Sequence, residues 1–160
     1  MLGANDIEVS VEERCIRITR EFDAPRALVF RAWTEREHVG RWFGPDGFST
    51  TTESMDVRVG GHWRYVMHGP DGVDYANLIT YREIDPPTRL VYSHGADEND
   101  PGQFEVTVDF KDVGGKTRLH MTMEFISAEA RHQVVEEYGA IDGARQTMAR
   151  LEEYLETMAA

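Results

Sequence analysis

The chain has 160 residues, enough for one hydrophobic core and short for two, and its 41% hydrophobic and 29% charged residues are the balance of a folded globular domain. Its 29 acidic against 17 basic residues leave a formal charge of -12, a field that repels phosphate backbones and anionic lipid, so nucleic acid is excluded as a partner class. No stretch reaches the roughly 18 consecutive apolar residues of a membrane helix, and the start, MLGANDIEVS, has neither the basic nor the apolar region of a signal peptide, so the chain reads as soluble and cytoplasmic, without membrane insertion.

The lone Cys15 has no partner for an internal disulfide and fits a reducing compartment, where a strand cysteine serves as a small core residue. Around it, Ile16, Ile18, Arg20 and Phe22 alternate at period two, which predicts a strand. Asp23-Ala24-Pro25 follows, with an aspartate suited to a cap and a proline suited to a first helical turn. A helix is expected from about Pro25 to Thr34, with Ala27, Phe30, Ala32 and Trp33 on its apolar face, and a second short one from Glu35 to Trp42 before Gly44-Pro45-Asp46-Gly47.

From Phe48 to about Phe125 the pattern is strand throughout. Met55, Val57, Val59; Trp63, Tyr65, Met67; Tyr75, Asn77, Ile79, Tyr81; Phe104, Val106, Val108, Phe110; and Leu119, Met121, Met123, Phe125 each line one face, with Leu90 to Ser93 a further short strand. Gly60-Gly61, Gly69-Pro70-Asp71-Gly72, Asp85-Pro86-Pro87 and Gly114-Gly115 separate them with turns too short for parallel crossovers. After Ser127, an N-cap residue, the period becomes helical through Val134, Tyr138, Ile141, Met148, Leu151 and Leu155. The order predicts one α+β domain over residues 1–160: a curved antiparallel sheet of about seven strands around a long C-terminal helix, with two short helices after the first strand. The first dozen residues are read as loose or as an early strand extension.

Several strings sharpen this. Arg20-Glu21-Phe22-Asp23-Ala24-Pro25, Val29-Phe30-Arg31-Ala32-Trp33-Thr34, Arg41-Trp42-Phe43-Gly44-Pro45, Met55-Asp56-Val57-Arg58-Val59-Gly60-Gly61, Gly69-Pro70-Asp71-Gly72, Pro86-Pro87 with Arg89-Leu90-Val91, and Gly115-Lys116-Thr117-Arg118-Leu119 occur in order. As a set they resemble the single-domain proteins related to the activator of the ninety-kilodalton heat-shock-protein ATPase, over about residues 14–156. The resemblance implies a START-like, helix-grip fold within the SRPBCC superfamily, whose relatives hold apolar ligands between sheet and helix. Many relatives carry a tryptophan after the glycine of the last helix, whereas here Gly143 is followed by Ala144. The cochaperone that names the family has a further N-terminal domain for which this chain has no room.

A curved sheet does not close fully on one helix with ordinary side chains, so large residues plug the gap or a cavity remains. Trp33, Trp42, Phe43, Trp63, Tyr65, Met67, Tyr75, Tyr81, Tyr92, Phe104, Met121, Met123, Tyr138 and Met148 are candidates to line it, with plain core packing the simpler role for each taken singly. Arg145 falls on the helical face expected to meet the sheet, either as the polar anchor for an acidic ligand or as the partner of a strand carboxylate such as Glu53 or Glu83. Glu53 shares parity with Met55 and Val57 and is the single candidate for an acid or base in the cavity.

The six histidines do not assemble into a metal site: His62 and His68 lie about 20 Å apart along a strand, and no HxH or HExxH occurs. Ser93-His94 has no nucleophile-elbow context, and glycine-rich phosphate loops are absent, so no metal, nucleotide or other cofactor is expected. The run Asp97-Glu98-Asn99-Asp100 reads as an exposed loop. The function expected is binding of a small, largely hydrophobic molecule. The alternatives are a cofactor-independent cyclase-, dehydratase- or hydrolase-like enzyme acting on such a ligand, and a cochaperone or stress accessory with a chaperone partner. A homodimer is compatible with either.

Overall fold

The computed structural model describes residues 7–12, 14–95, 104–138 and 140–159, without the side chains of 7–12, 134, 136–138, 140 and 159. The chain runs through β1 (Ile7–Glu12), β2 (Cys15–Phe22), α1 (Arg26–Thr34), α2 (Arg36–Val39), β3 (Ser49–Met55), β4 (His62–His68), β5 (Asp74–Asp85), β6 (Arg89–Gly95), β7 (Phe104–Val113), β8 (Lys116–Phe125), α3 (Ala128–Tyr138) and α4 (Ala140–Ala159). The strands form one antiparallel sheet in the order β1-β2-β8-β7-β6-β5-β4-β3. From β3 to β8 each strand pairs with the next in sequence, as short turns require. The long connection from β2 to β3 carries α1 and α2, and β8 returns beside β2. The early strand extension is β1, which makes the sheet eight strands rather than seven.

Two turns show why glycine stands where it does. Gly114 and Gly115 close the β7–β8 hairpin with φ of 61° and 87°, the left-handed pair that matches the twist of the flanking strands. At Gly61 a Cβ would lie 2.1 Å from the Asp56 carbonyl oxygen, so no side chain fits.

The inner face of the sheet is continuous: Ile16, Ile18, Arg20 and Phe22; Leu119, Met121 and Phe125; Val106, Val108 and Phe110; Leu90 and Tyr92; Ile79 and Tyr81; Trp63 and Tyr65 are all buried. Onto it pack Val29, Phe30, Ala32 and Trp33 of α1 and Met148, Leu151 and Leu155 of α4. An aromatic residue of this kind buries about 150–250 Å², and at about 25 cal/mol per Å² each contributes several kcal/mol. Trp33 meets Trp42 and Phe110 edge-on, with ring centroids 4.9 and 5.9 Å apart. The Trp42 indole N–H donates to the Ala32 carbonyl at 3.0 Å. Among the described residues no helix is long and apolar enough to cross a membrane.

Local expectations are corrected at four points. Pro25, not Asp23, caps α1: its carbonyl accepts the N–H of Leu28 and Val29, and no side chain caps the helix. Ala27 is exposed and Val29 takes its place on the buried face. α2 is a single turn ending at Val39 rather than at Trp42. β3 stops at Met55, so Val57 and Val59 lie in the following turn, with Val59 64% exposed. The C-terminal helical run is described as α3 and α4, on either side of residue 139. Ser127 caps α3 as expected, its Oγ accepting the Ala130 N–H at 3.0 Å.

Candidate functional site

Four polar side chains of the inner face, Tyr65, Tyr81, Tyr92 and His94, sit on the neighbouring strands β4, β5 and β6. Tyr65 of β4 and His94 of β6 are joined by a hydrogen bond between Tyr65 Oη and His94 Nε2 at 2.8 Å. The link runs diagonally across β5, where Tyr65 pairs with Asn77 and His94 with Ile79. Tyr81 and Tyr92 are direct cross-strand partners with centroids 6.5 Å apart. Burial pushes the hydroxyls of Tyr65, Tyr81 and Tyr92 up, and Tyr92 adds to the rise at the other two, so the three phenols stay protonated together. Burial lowers His94 to about 4, which keeps its imidazole neutral near pH 7.

Three buried atoms here have no hydrogen-bond partner among the described residues: Tyr81 Oη, His94 Nδ1 and Trp33 Nε1. Trp33 Nε1 lies near enough to the Tyr92 hydroxyl to oppose its upward shift, yet without the geometry of a hydrogen bond. Buried polar atoms are almost always paired, because leaving one unpaired costs about 1–3 kcal/mol. Tyr81 pairs across strands with Tyr92, which lies two residues before His94 on β6, so Tyr81 Oη and His94 Nδ1 belong to neighbouring strands of the inner face.

The same region is where the inner face opens. Met67, Asn77, His94, Phe104 and Met123 occupy inner positions on five consecutive strands and are half-buried, whereas their neighbours toward α1 are fully buried. Phe104 stacks on His94 at 4.7 Å and tilts against Phe125 at 4.9 Å. Phe43 packs edge-on against Trp63 and Tyr65 and is itself half-buried. The loop at Gly44 and Pro45 connects this end of the sheet to the start of α4: a Cβ on Gly44 would lie 3.2 Å from Met67 Cε, and one on Gly143 would lie 3.8 Å from Pro45 Cβ. Gly143 and Ala144 present little side chain there.

Of the expected lining residues, Trp33, Trp42, Trp63, Tyr65, Tyr81, Tyr92, Met121 and Met148 are buried on the inner side, and Phe43, Met67 and Met123 are half-buried. Trp42 and Met148 serve as closed core. Tyr75 is 44% exposed and meets Phe48 rather than the interior. The side chains of Tyr138 and Val134, and the acidic run from Asp97 to Asp100, lie outside the described residues.

Two charged expectations are overturned. Arg145 is exposed: at about 100° per residue it sits past the edge of the stripe centred on Ala144, Met148, Leu151 and Leu155, so it anchors no ligand and pairs with neither Glu53 nor Glu83. Glu53 is also exposed, because it is the extra residue of a β-bulge where the register shifts between Thr52 and Ser54. Glu83 pairs instead with Arg89 at 3.2 Å.

The ion pair between helix and sheet is Arg20 with Glu152, whose side chains are 5% and 24% exposed, with the Arg20 guanidinium also 5.5 Å from the Phe22 ring centroid. Sequence reasoning missed it, although a charged residue inside the apolar alternation of β2 is the signal. Other polar contacts fix α4: His38 Nδ1 to Tyr154 Oη at 2.6 Å, and Arg150 Nη1 donating to the carbonyls of Gly44, Pro45 and Phe48 at 2.7–3.2 Å.

Two further clusters carry recognisable chemistry. Thr51 Oγ1, His68 and Asp74 form a chain of 2.8 and 2.7 Å contacts in the order of a nucleophilic triad. Thr51 and Asp74 stand exposed on the outer face, where water competes with every charge a transition state would develop. They form a cross-strand surface ladder. Glu35, Glu37 and His38 bring ligand-type atoms within 4.8 Å of one another, but His38 is engaged by Tyr154 and Glu35 by Arg31.

Comparison with known proteins places this architecture. The structure is similar to that of a protein from Arthrobacter aurescens, with 27% identity, 97% of this chain and 93% of that one covered, and a TM-score of 0.85. It is similar to one from Mycobacterium smegmatis at 28% identity, 92% and 94% coverage and a TM-score of 0.80, and to one from Nitrosomonas europaea at 25%, 91% and 96% and 0.79. No curated protein matches the chain. The model of the family described as activator of Hsp90 ATPase homolog 1-like protein matches residues 23–156, and with the gripped helix, the antiparallel sheet and the ordered motifs in agreement, the chain belongs to that family of START-like domains.

Proposed function

We propose that the protein binds a small, largely hydrophobic molecule between the inner face of the sheet and the helices, at the end marked by Met67, Asn77, His94, Phe104 and Met123. The observation that carries this reading is the set of three unpaired buried polar atoms, Tyr81 Oη, His94 Nδ1 and Trp33 Nε1, beside a half-open apolar wall. An apolar body gains from burial against phenylalanine and methionine, and a polar group on it relieves the orphaned atoms. The START-like fold is consistent with the same reading.

Native mass spectrometry of protein purified from its own source tests it. A retained molecule of low polarity, displaced on denaturation, is expected. Loss of the adduct on Met67→Trp or Met123→Trp, which fill the half-open end, would assign it to this site. A chain of bare mass that also shows no thermal shift with any apolar compound would overturn the reading.

A further inference from the structure

The charge character of the site restricts what kind of polar group the ligand carries. The central cluster is made of neutral groups: three phenols, one imidazole and one indole N–H, contributed by α1, β4, β5 and β6. Of the nearby arginines, Arg150 directs its Nη1 to the backbone carbonyls of Gly44, Pro45 and Phe48. Arg145 points to solvent, and the Arg20 guanidinium lies beside Glu152. A carboxylate or sulfonate brought here would lose its hydration without gaining a counter-ion, an exchange that disfavours binding strongly. An ammonium group would fare no better, because the cluster holds no carboxylate.

We propose that the ligand is uncharged, with an apolar body and one neutral oxygen, a ketone, aldehyde, amide or hydroxyl, held by Tyr81 Oη and His94. This inference deepens the binding reading above and rests on it. A carbonyl oxygen accepts two hydrogen bonds, and the phenol of Tyr81 is a donor with nothing else to donate to among the described residues, whereas the Trp33 indole N–H lies against the Tyr92 hydroxyl. His94 adapts to either polarity. With Nε2 accepting from the Tyr65 hydroxyl, Nδ1 carries the proton and donates; with Nε2 donating, Nδ1 accepts and suits a ligand hydroxyl.

The ionisation behaviour agrees with this. The phenols resist becoming anions and His94 resists becoming a cation, so the surroundings disfavour charge of both signs. Phe104, stacked on His94 at 4.7 Å, supplies a flat wall for a planar body.

The test uses three probes of one shape: naphthalene, acetylnaphthalene and naphthoate, titrated into the full chain and followed by changes in the Trp and Tyr signals and by calorimetry. Acetylnaphthalene is expected to bind about fivefold to tenfold more tightly than naphthalene, the gain from one well-made hydrogen bond to a previously unpaired group, and naphthoate at least about tenfold more weakly than the ketone. Tyr81→Phe should remove most of the ketone's advantage over naphthalene. Because the Tyr81 hydroxyl is unpaired in the free protein, the same variant should fold and melt no lower than the parent, which separates lost recognition from lost structure.

Equal affinity for all three probes, or naphthoate binding as tightly as the ketone, would overturn the inference while leaving hydrophobic binding standing. A ketone preference that survives Tyr81→Phe and His94→Gln alike would do the same. If none of the probes binds, the binding reading itself fails and this inference falls with it.

Discussion

The two ends of the sheet's inner face are built from similar residues and differ in how completely they are covered. Toward α1 and the C-terminal half of α4, Trp42, Phe110, Leu119, Phe22 and Leu151 are fully buried, the Trp42 indole N–H and the Thr117 hydroxyl reach carbonyls at 3.0 and 2.7 Å, and α4 is pinned by Arg20, His38 and the loop from Gly44 to Phe48. Toward His94 the apolar wall is half-covered, and Tyr81 Oη and His94 Nδ1 are unpaired, as Arg20 Nε and Trp33 Nε1 are at the closed end. Packing stabilises the first region more than the second, where side chains remain partly in water.

The contrast is sharpest under large-to-small substitution. Trp42→Ala should destabilise by about 3–5 kcal/mol and Leu151→Ala by about 2–5 kcal/mol, the ranges for buried side chains that leave a cavity. Met67→Ala, at the half-open end, should lower stability by less than about 1.5 kcal/mol, because its side chain is only partly removed from water. Chemical denaturation at constant m-value measures all three, and equal losses would mean that the two ends are packed alike. Glu152→Ala comes next at about 3 kcal/mol, since it leaves the Arg20 charge buried without its partner. The double variant Arg20→Met, Glu152→Leu should recover most of that loss, which a purely steric defect at Glu152 would not permit.

How much of this was legible in the sequence follows from period counting. The inner stripes of β2, β7 and β8 follow directly from alternation, because Val106, Val108 and Phe110 run without interruption and Ile16, Ile18 and Phe22 keep their parity across Arg20. Alternation fails where one residue is inserted. Bulges between Thr52 and Ser54 and between Tyr81 and Glu83 shift the parity of everything beyond them, which moved Glu53 from a presumed inner position to the surface. Helical faces suffer a gentler error: at 3.6 residues per turn a position three before Met148 is already well off the stripe, and Arg145 was misassigned for that reason. The site's polar core was visible only in part. Tyr65, Tyr81 and Tyr92 were named one by one, but that they share a neighbourhood with His94 depends on strand order, which brings β4, β5 and β6 side by side and is not written in any local pattern.

The two ends should also differ in their response to acid. His94 is held near 4 in the folded chain against about 6.5 when unfolded, so between these values the unfolded state binds more protons and stability rises with pH. Lowering pH from about 6.5 toward about 4 should therefore destabilise the protein, with His94 contributing at most about 1.4 kcal/mol per pH unit, and its contribution should level off below about 4. His94→Gln, which retains a hydrogen-bonding group for Tyr65, should flatten the pH profile of the unfolding midpoint across that window. An unchanged profile would mean that His94 is already open to water in the free protein.

The smallest effects discriminate between the two arginines of α4. Arg150 and Arg145 lie five residues apart on the same helix, and the sequence alone favours Arg145 for the interior. Arg150 instead crosses to the loop from Gly44 to Phe48 and donates to three carbonyls at once, capping a turn whose oxygens would otherwise compete for water. Its removal in Arg150→Ala should cost about 1–2 kcal/mol, less than a fully buried charge-assisted contact because the side chain is only partly covered. Since that loop also touches Met67 and Pro45 stands beside Gly143, the same variant should loosen the half-open end and weaken acetylnaphthalene binding. Arg145→Ala should stay within about 0.5 kcal/mol of the parent, as a substitution on an exposed helical position does, and should leave the ratio of ketone to carboxylate affinity where it was. A loss of naphthoate binding specific to Arg145→Ala would restore Arg145 as an anion anchor and require the helix to turn in solution.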